Sequence, residues 1–270
     1  MSVPHWTLML LVLCFAVALR GADDPKPAPA PAPAGEKEKA DNTPIRVLFV
    51  GDELTEKGHV GQLVTRMAQH AKEPRRFYSE DVGSSNSTLE RHAKGDAFWR
   101  AMGDQRWDAV VLQEDTRVLQ RYPGSTTRFA RELDRSIRKR RAQTVIFSAW
   151  PAQEPAEGHE PLIKANEELA AAIRAKVLPV GAAWLEASKS AKDIPLYLAD
   201  KRYASPQGEY LTACVIYAFF YDKSPEGLPA DIRPGVKAEE AKGLQQIAWK
   251  AVMDQKNAKP KPAEPEKPKQ

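Results

Sequence analysis

IRVLFVGDELT, residues 45–55, is the stretch whose reading decides the fold. Residues 45–50 are nearly all apolar and rich in β-branched side chains. This pattern suits a strand buried on both faces, as in a parallel sheet. The chain then turns abruptly polar at Gly51–Asp52. Similar runs follow at 75–81 (RRFYSED), 109–113 (AVVLQ), 144–150 (TVIFSAW) and 177–180. Between them lie helical patterns. Val60, Leu63, Val64 and Met67 share one face within 58–72, and Phe129, Leu133 and Ile137 share one within 126–141. A third helix is expected at 161–176. A fourth, at 205–221, opens with Ser205 as N-cap and Pro206 at the first helical position. A last apolar stripe, Leu244, Ala248 and Val252, ends the pattern. Strands alternating with helices predict an α/β three-layer sandwich around a parallel sheet of about five strands. Ligands of such sheets bind at the strands' C-terminal ends. The loops after Val50, Asp81, Gln113 and Trp150 are therefore where chemistry is expected.

The chain has 270 residues, 42% hydrophobic and 28% charged, with a mean hydropathy of −0.51. These values exclude an integral membrane protein and a wholly disordered chain. A net charge of +4 does not by itself argue for nucleic acid. Two cysteines, Cys14 and Cys214, exclude a disulfide framework and a multi-cysteine metal site. The apolar run at 6–19, WTLMLLVLCFAVAL, is short for a membrane span and reads as the core of a signal peptide over 1–22. An uncleaved anchor is the alternative. Residues 23–44 form a Pro/Ala-rich linker, 45–255 one domain, and 256–270 a Lys/Pro-rich solvated tail. The expectation is a secreted or periplasmic protein with no stable membrane span after cleavage.

Four blocks, in order, resemble the SGNH (GDSL) hydrolases: FVGDELT (49–55), STLERHAKG (87–95), WDAVVLQEDT (107–116) and the long LYLADKRYASPQGEYLTACVIYAFFYDKSP (196–225). The resemblance implies a flavodoxin-like sheet and an esterase acting on acyl or carbohydrate esters. It also implies where the site lies. Glu53 stands at the position of the family's nucleophilic serine and Tyr203 at that of its base histidine, while Asp200 matches the orienting aspartate. Asp115 aligns with the third-block amide. Asn86 aligns best with the second-block glycine that donates a backbone N–H to the oxyanion, with Gly83 as a shifted equivalent.

Serine-based acyl transfer needs a hydroxyl, a base near neutral pKa and donors aimed at the oxyanion. Glu53 has no hydroxyl, a phenol near pKa 10 does not replace an imidazole, and a carboxylate at 115 accepts where a donor is required. The expectation is a catalytically degenerate SGNH-like protein, a pseudoenzyme that retains a cleft for a small ester or carbohydrate ligand and needs no cofactor. An active hydrolase is the alternative, using carboxylate chemistry or a displaced base such as His59. Another is a cation-dependent binding module, built on Asp52, Glu53, Asp115 and Asp200. Glu53 itself either is tolerated in an idle cleft or folds back to accept the old oxyanion N–H groups.

The remaining features read more plainly. Ser205 is a helix cap rather than a nucleophile, and Ser84, Ser85 and Ser87 are loop residues. His92 reads as a packing residue, and His70 and His159 as solvated. Cys214, within an apolar stretch, reads as an inert buried thiol. The basic run at 135–141, RSIRKRR, reads as a solvated helix face; the alternative is contact with an anionic polymer. Nucleic acid is not expected, because no stacking aromatics are interleaved with the cations.

Overall fold

The structure, a computed structural model, describes residues 42–258 apart from 59 and 154–157. The expected signal peptide, most of the linker, the tail beyond 258 and His59 lie outside the described residues. Five strands form one sheet: β1 (Ile45–Gly51), β2 (Phe77–Gly83), β3 (Ala109–Leu112), β4 (Gln143–Phe147) and β5 (Lys176–Leu178). All neighbours are parallel and the order is β2-β1-β3-β4-β5. This is the flavodoxin-like order. The connections from β1 and β2 leave to opposite sides, so a crevice opens between β1 and β3 at the strands' C-terminal ends.

Alternation along β1 divides the core in two. Val47 and Phe49 face one cluster with α2 (Val60–His70), α8 (Val180–Ser190), α9 (Pro206–Tyr221) and α10 (Ala238–Asn257). Leu48 and Val50 face the other, with α3 (Leu89–Lys94), α4 (Asp96–Asp104), α6 (Pro123–Lys139) and α7 (His159–Ile173). Both faces of the strand are dry, as its unbroken apolar run requires. Two short helices complete the set: α1 (Glu53–Gly58) directly after β1 and α5 (Thr116–Arg121) after β3.

Helix α9 is buried on nearly every side, from Tyr210 to Ala218. Ser205 caps it, its Oγ accepting the Gly208 N–H at 3.1 Å. Cys214 lies fully buried within it, and burial pushes its thiol pKa up. Gly208 is where the helix passes closest to its surroundings. A Cβ there would lie 2.3 Å from the Leu196 carbonyl oxygen and 2.8 Å from the Trp184 ring. Trp184 in turn stacks flat on Trp150, with centroids 4.1 Å apart.

Several boundaries differ from the sequence reading. Strand β2 begins two residues later than expected, because Arg75 and Arg76 remain at the rim and Phe77 is the first buried side chain. The expected strand at 144–150 leaves the sheet after Phe147, and Trp150 turns away to stack on Trp184. Helices α1, α3, α4, α5 and α8 were not anticipated; α1, α3 and α5 are only six residues long and carry too little pattern to stand out.

Gly208→Ala gains helix propensity but forces backbone and an indole ring apart. We expect a net loss of about 1–3 kcal/mol, read as a lower urea midpoint with unchanged m-value. An unchanged midpoint would mean that the Leu196 loop gives way freely.

Candidate functional site

The polar turn that follows β1 builds the site. Asp52 Oδ1 accepts the Leu54 N–H at 2.8 Å and so starts α1. Gln113, just past β3, braces the turn from the neighbouring strand: its Oε1 accepts the Asp52 N–H at 2.9 Å and the Thr55 hydroxyl at 3.1 Å. Gly51 is required for this approach, since a Cβ there would sit 2.3 Å from that same Oε1. His92 on α3 closes the other side, its Nε2 donating to the Gly51 carbonyl at 2.8 Å. Burial lowers the His92 pKa below 6.5, so the ring is neutral near pH 7 and serves as a brace.

Glu53 opens α1 and is only 4% exposed. Its Oε2 accepts the backbone N–H of Asn86 at 3.1 Å. Asn86 is left-handed, with φ 61°, a conformation that Asn tolerates better than most residues. The other carboxylate oxygen, Oε1, is held by the Arg202 guanidinium. Arg202 also lies 4.0 Å from Asp115 Oδ2. Glu53 thus folds back onto the Asn86 amide, and a cation from a loop far along the chain holds it there.

The other candidate residues fall around this pair. Asp115 caps α5: its Oδ1 accepts the N–H groups of Arg117 and Val118 at 2.9 and 3.1 Å, and Arg117 Nη2 meets its Oδ2 at 3.1 Å. Burial raises its pKa, but these donors and the Arg117 charge outweigh that and hold it below the usual value. Gly83 ends β2 opposite Gly51, where a Cβ would lie 3.0 Å from the Asp52 carbonyl oxygen. Its place is explained by close packing against the start of α1. Asp200 is exposed and accepts the backbone N–H groups of Arg202 and Tyr203 at 2.9 and 3.0 Å. Those two amides, Tyr203 first, lower its pKa. The Asp200 carboxylate therefore shapes its own loop and bonds the Tyr203 backbone. The Tyr203 ring lies under the Lys57 ammonium, 3.9 Å from its centroid.

Sequence reasoning missed Arg202, Gln113 and Glu114. A buried glutamate demands a cation, and that demand was the available signal for Arg202. Glu114 is buried, with Oε1 accepting the Leu89 and Asp115 N–H groups at 3.3 and 3.1 Å and Oε2 accepting the Thr126 hydroxyl at 3.1 Å. Burial nevertheless raises its pKa to about 7, and raises that of Asp52 to about 6. Among the described residues, no three Asp, Glu, His or Cys side chains are placed to hold a metal ion. No serine–histidine pair is hydrogen-bonded there either: Ser84 and Ser87 bond each other at 2.6 Å and His92 is committed to Gly51. One histidine reading is corrected. His159 is half-buried at the start of α7, with Nδ1 lacking a hydrogen-bond partner among the described residues, and burial lowers its pKa.

Both raised carboxyl groups bind more protons folded than unfolded. The stability they contribute is full below about pH 4 and is lost as pH rises through about 6 and 7. Glu114→Gln keeps one acceptor and one donor and so mimics the protonated acid. We expect it to match the parent protein in thermal melts near pH 5 and to exceed it by several degrees at pH 8. Parallel curves for the two proteins would show that Glu114 does not titrate in this range.

No family model and no curated protein matches the chain in sequence. Solved structures do match it in shape. A DUF4886 family protein from Bacteroides uniformis superposes with a TM-score of 0.68 at 17% identity, covering 80% of this chain and 97% of that one. An inferred SGNH hydrolase from Slackia heliotrinireducens gives 0.54 at 23% identity, covering 65% and 98%. A catalytic mutant of Axe2, an acetylxylan esterase from Geobacillus stearothermophilus, gives 0.51 at 13% identity, covering 70% and 96%. The five-stranded parallel sheet and the helices on its two faces are the fold of the SGNH hydrolases.

Proposed function

We propose that this is an exported SGNH-like protein that does not hydrolyse esters and has become a ligand-binding or scaffold relative of that fold. One observation carries the reading. At the position matching the nucleophile stands a carboxylate, held by the Asn86 amide and the Arg202 guanidinium. A carboxylate so held is neither a serine-type nucleophile nor free to act as a base. It also occupies the amide that would otherwise receive a developing oxyanion. The position matching the base carries a phenol whose ring is covered by Lys57. The described residues near the cleft offer no substitute pair. Export rests on the apolar run at 6–19 and the Pro/Ala-rich stretch that follows it, and it places the protein in the periplasm or outside the cell. The cleft's remaining use is a small ester-like or carbohydrate ligand at its rim.

The test is hydrolysis of short p-nitrophenyl acyl esters. The parent chain is expected to show no turnover above buffer. Glu53→Ser combined with Tyr203→His restores a hydroxyl and an imidazole, and is expected to show slow but measurable turnover. Removing one essential catalytic group costs roughly 10²–10⁶-fold in such sites. Hydrolysis by the parent chain that Glu53→Ala abolishes would overturn the reading in favour of carboxylate-based catalysis.

A further inference from the structure

We propose that the end of the domain opposite the cleft docks on an anionic phospholipid surface. In a sheet of this kind helices run back against the strands, so this end collects strand beginnings and helix ends. The chain places a cation at the entry to every strand: Arg76 before β2, Arg46 in β1, Arg106 before β3, Arg141 before β4 and Lys176 in β5, with Arg174 at the end of α7. Backbone bonds join these entries into one rim. Ile45 N–H donates to the Arg76 carbonyl at 2.8 Å, Asp108 N–H to Arg46 at 2.9 Å, and Gln143 N–H to Asp108 at 2.9 Å. The Arg138 guanidinium donates to the Arg174 carbonyl at 3.0 Å.

Arg76, Arg106, Arg141, Arg174 and Lys176 are exposed, and none forms an ion pair with another described residue. Elsewhere on the surface lysines do: Lys94 with Glu90 and Lys189 with Glu160. The rim's acids are largely spent. Asp134 is bound by Arg138, and Asp108 bonds the Arg46 amide and Arg75; Asp104, at the end of α4, remains. A preference for cations at helix ends accounts for Arg174, and for Arg106 and Arg141 just past the C-caps of α4 and α6, but not for Arg76, six residues past the end of α2. Arg141 and Arg174 are also left-handed, with φ 62° and 55°, where glycine or asparagine is usual. The fold bears that strain and keeps the charge.

A bilayer is the occupant that fits. Nucleic acid would need open aromatic platforms, but Trp107 is buried and Tyr78 is already covered by Arg46, 5.3 Å from its centroid. The flanking sequence also joins the domain at this rim. Arg75 bonds the Thr43 carbonyl at 2.8 Å where the chain enters. At the other end of the domain Lys256 pairs with Asp222, directly after α9, and Tyr221 of α9 bonds the Arg75 carbonyl at 2.8 Å. Upstream lies the apolar run at 6–19, and downstream residues 259–270 carry four lysines and two glutamates. A cation near an anionic bilayer contributes about fivefold in affinity, so the rim provides a surface attraction that needs no pocket. The cleft then faces away from the membrane.

The test sediments the full chain with phosphatidylcholine vesicles, with and without a third of the lipid replaced by phosphatidylglycerol. Neutral vesicles set the baseline due to the apolar run; the increment on anionic vesicles reads the rim. The paired variant Arg141→Gly, Arg174→Gly suits the left-handed backbone at both sites, so its melting temperature is expected to hold or rise. Its anionic increment is expected to fall by about 25-fold, and added salt to erase the parent's increment. Equal binding to both vesicle types, or an increment untouched by the glycine pair, would overturn the proposal. Binding of dissolved polygalacturonate without binding of anionic vesicles would do so too, since it would make a soluble polyanion the occupant.

Discussion

A carboxylate buried at the end of a strand has to be met by donors, and that need organises this cleft. Glu53 draws Arg202 across from a loop 149 residues later in the chain and draws the Asn86 amide in from the turn after β2. Three other carboxyl groups lie nearby, and each meets the same problem differently. Asp52 bonds the first turn of α1, with its pKa raised by burial. Asp115 rests on the N-terminus of α5 and on Arg117. Glu114 takes two backbone amides and a threonine hydroxyl yet still titrates near neutrality. A buried ion pair is costly to break and seldom a large net gain. The Glu53–Arg202 pair is better understood as closing the cleft than as stabilising the domain.

Charge in the domain has a direction. At the strands' C-terminal ends, helix N-termini favour acids, and Glu53, Glu56 and Asp115 gather there. At the opposite end, helix C-termini favour cations, and Arg138, Lys139 and Arg174 sit among them. The net charge of +4 hides this separation, because a sum over the chain carries no information about place. At the acidic end Glu53 and Asp115 meet ion pairs and backbone amides, while at the basic end Arg138 pairs with Asp134 and Arg174 stays exposed.

The legible parts of the sequence were those with a strong local pattern. The apolar runs at 45–50 and 109–113 became the central strands, the spacing around Phe129, Leu133 and Ile137 became the buried face of α6, and Ser205–Pro206 marked the start of α9. The less legible parts had short or mixed patterns. Residues 75–76 read as strand because two arginines adjoin an aromatic pair, and burial alone shows where β2 begins. His159 read as solvated because its neighbours in sequence are polar; the fold half-buries it at the start of α7.

From the sequence alone come the alternation of strands and helices and the position of the polar turn after β1. These follow from residue identity and near-neighbour spacing, which the chain states directly. Only the tertiary structure decides that Glu53 turns inward to Arg202, that Asp200 serves its own loop, and that cations scattered from Arg46 to Lys176 share one rim. Those outcomes depend on which distant segments the parallel sheet brings side by side, and long-range pairing of that kind leaves no periodic trace in the chain.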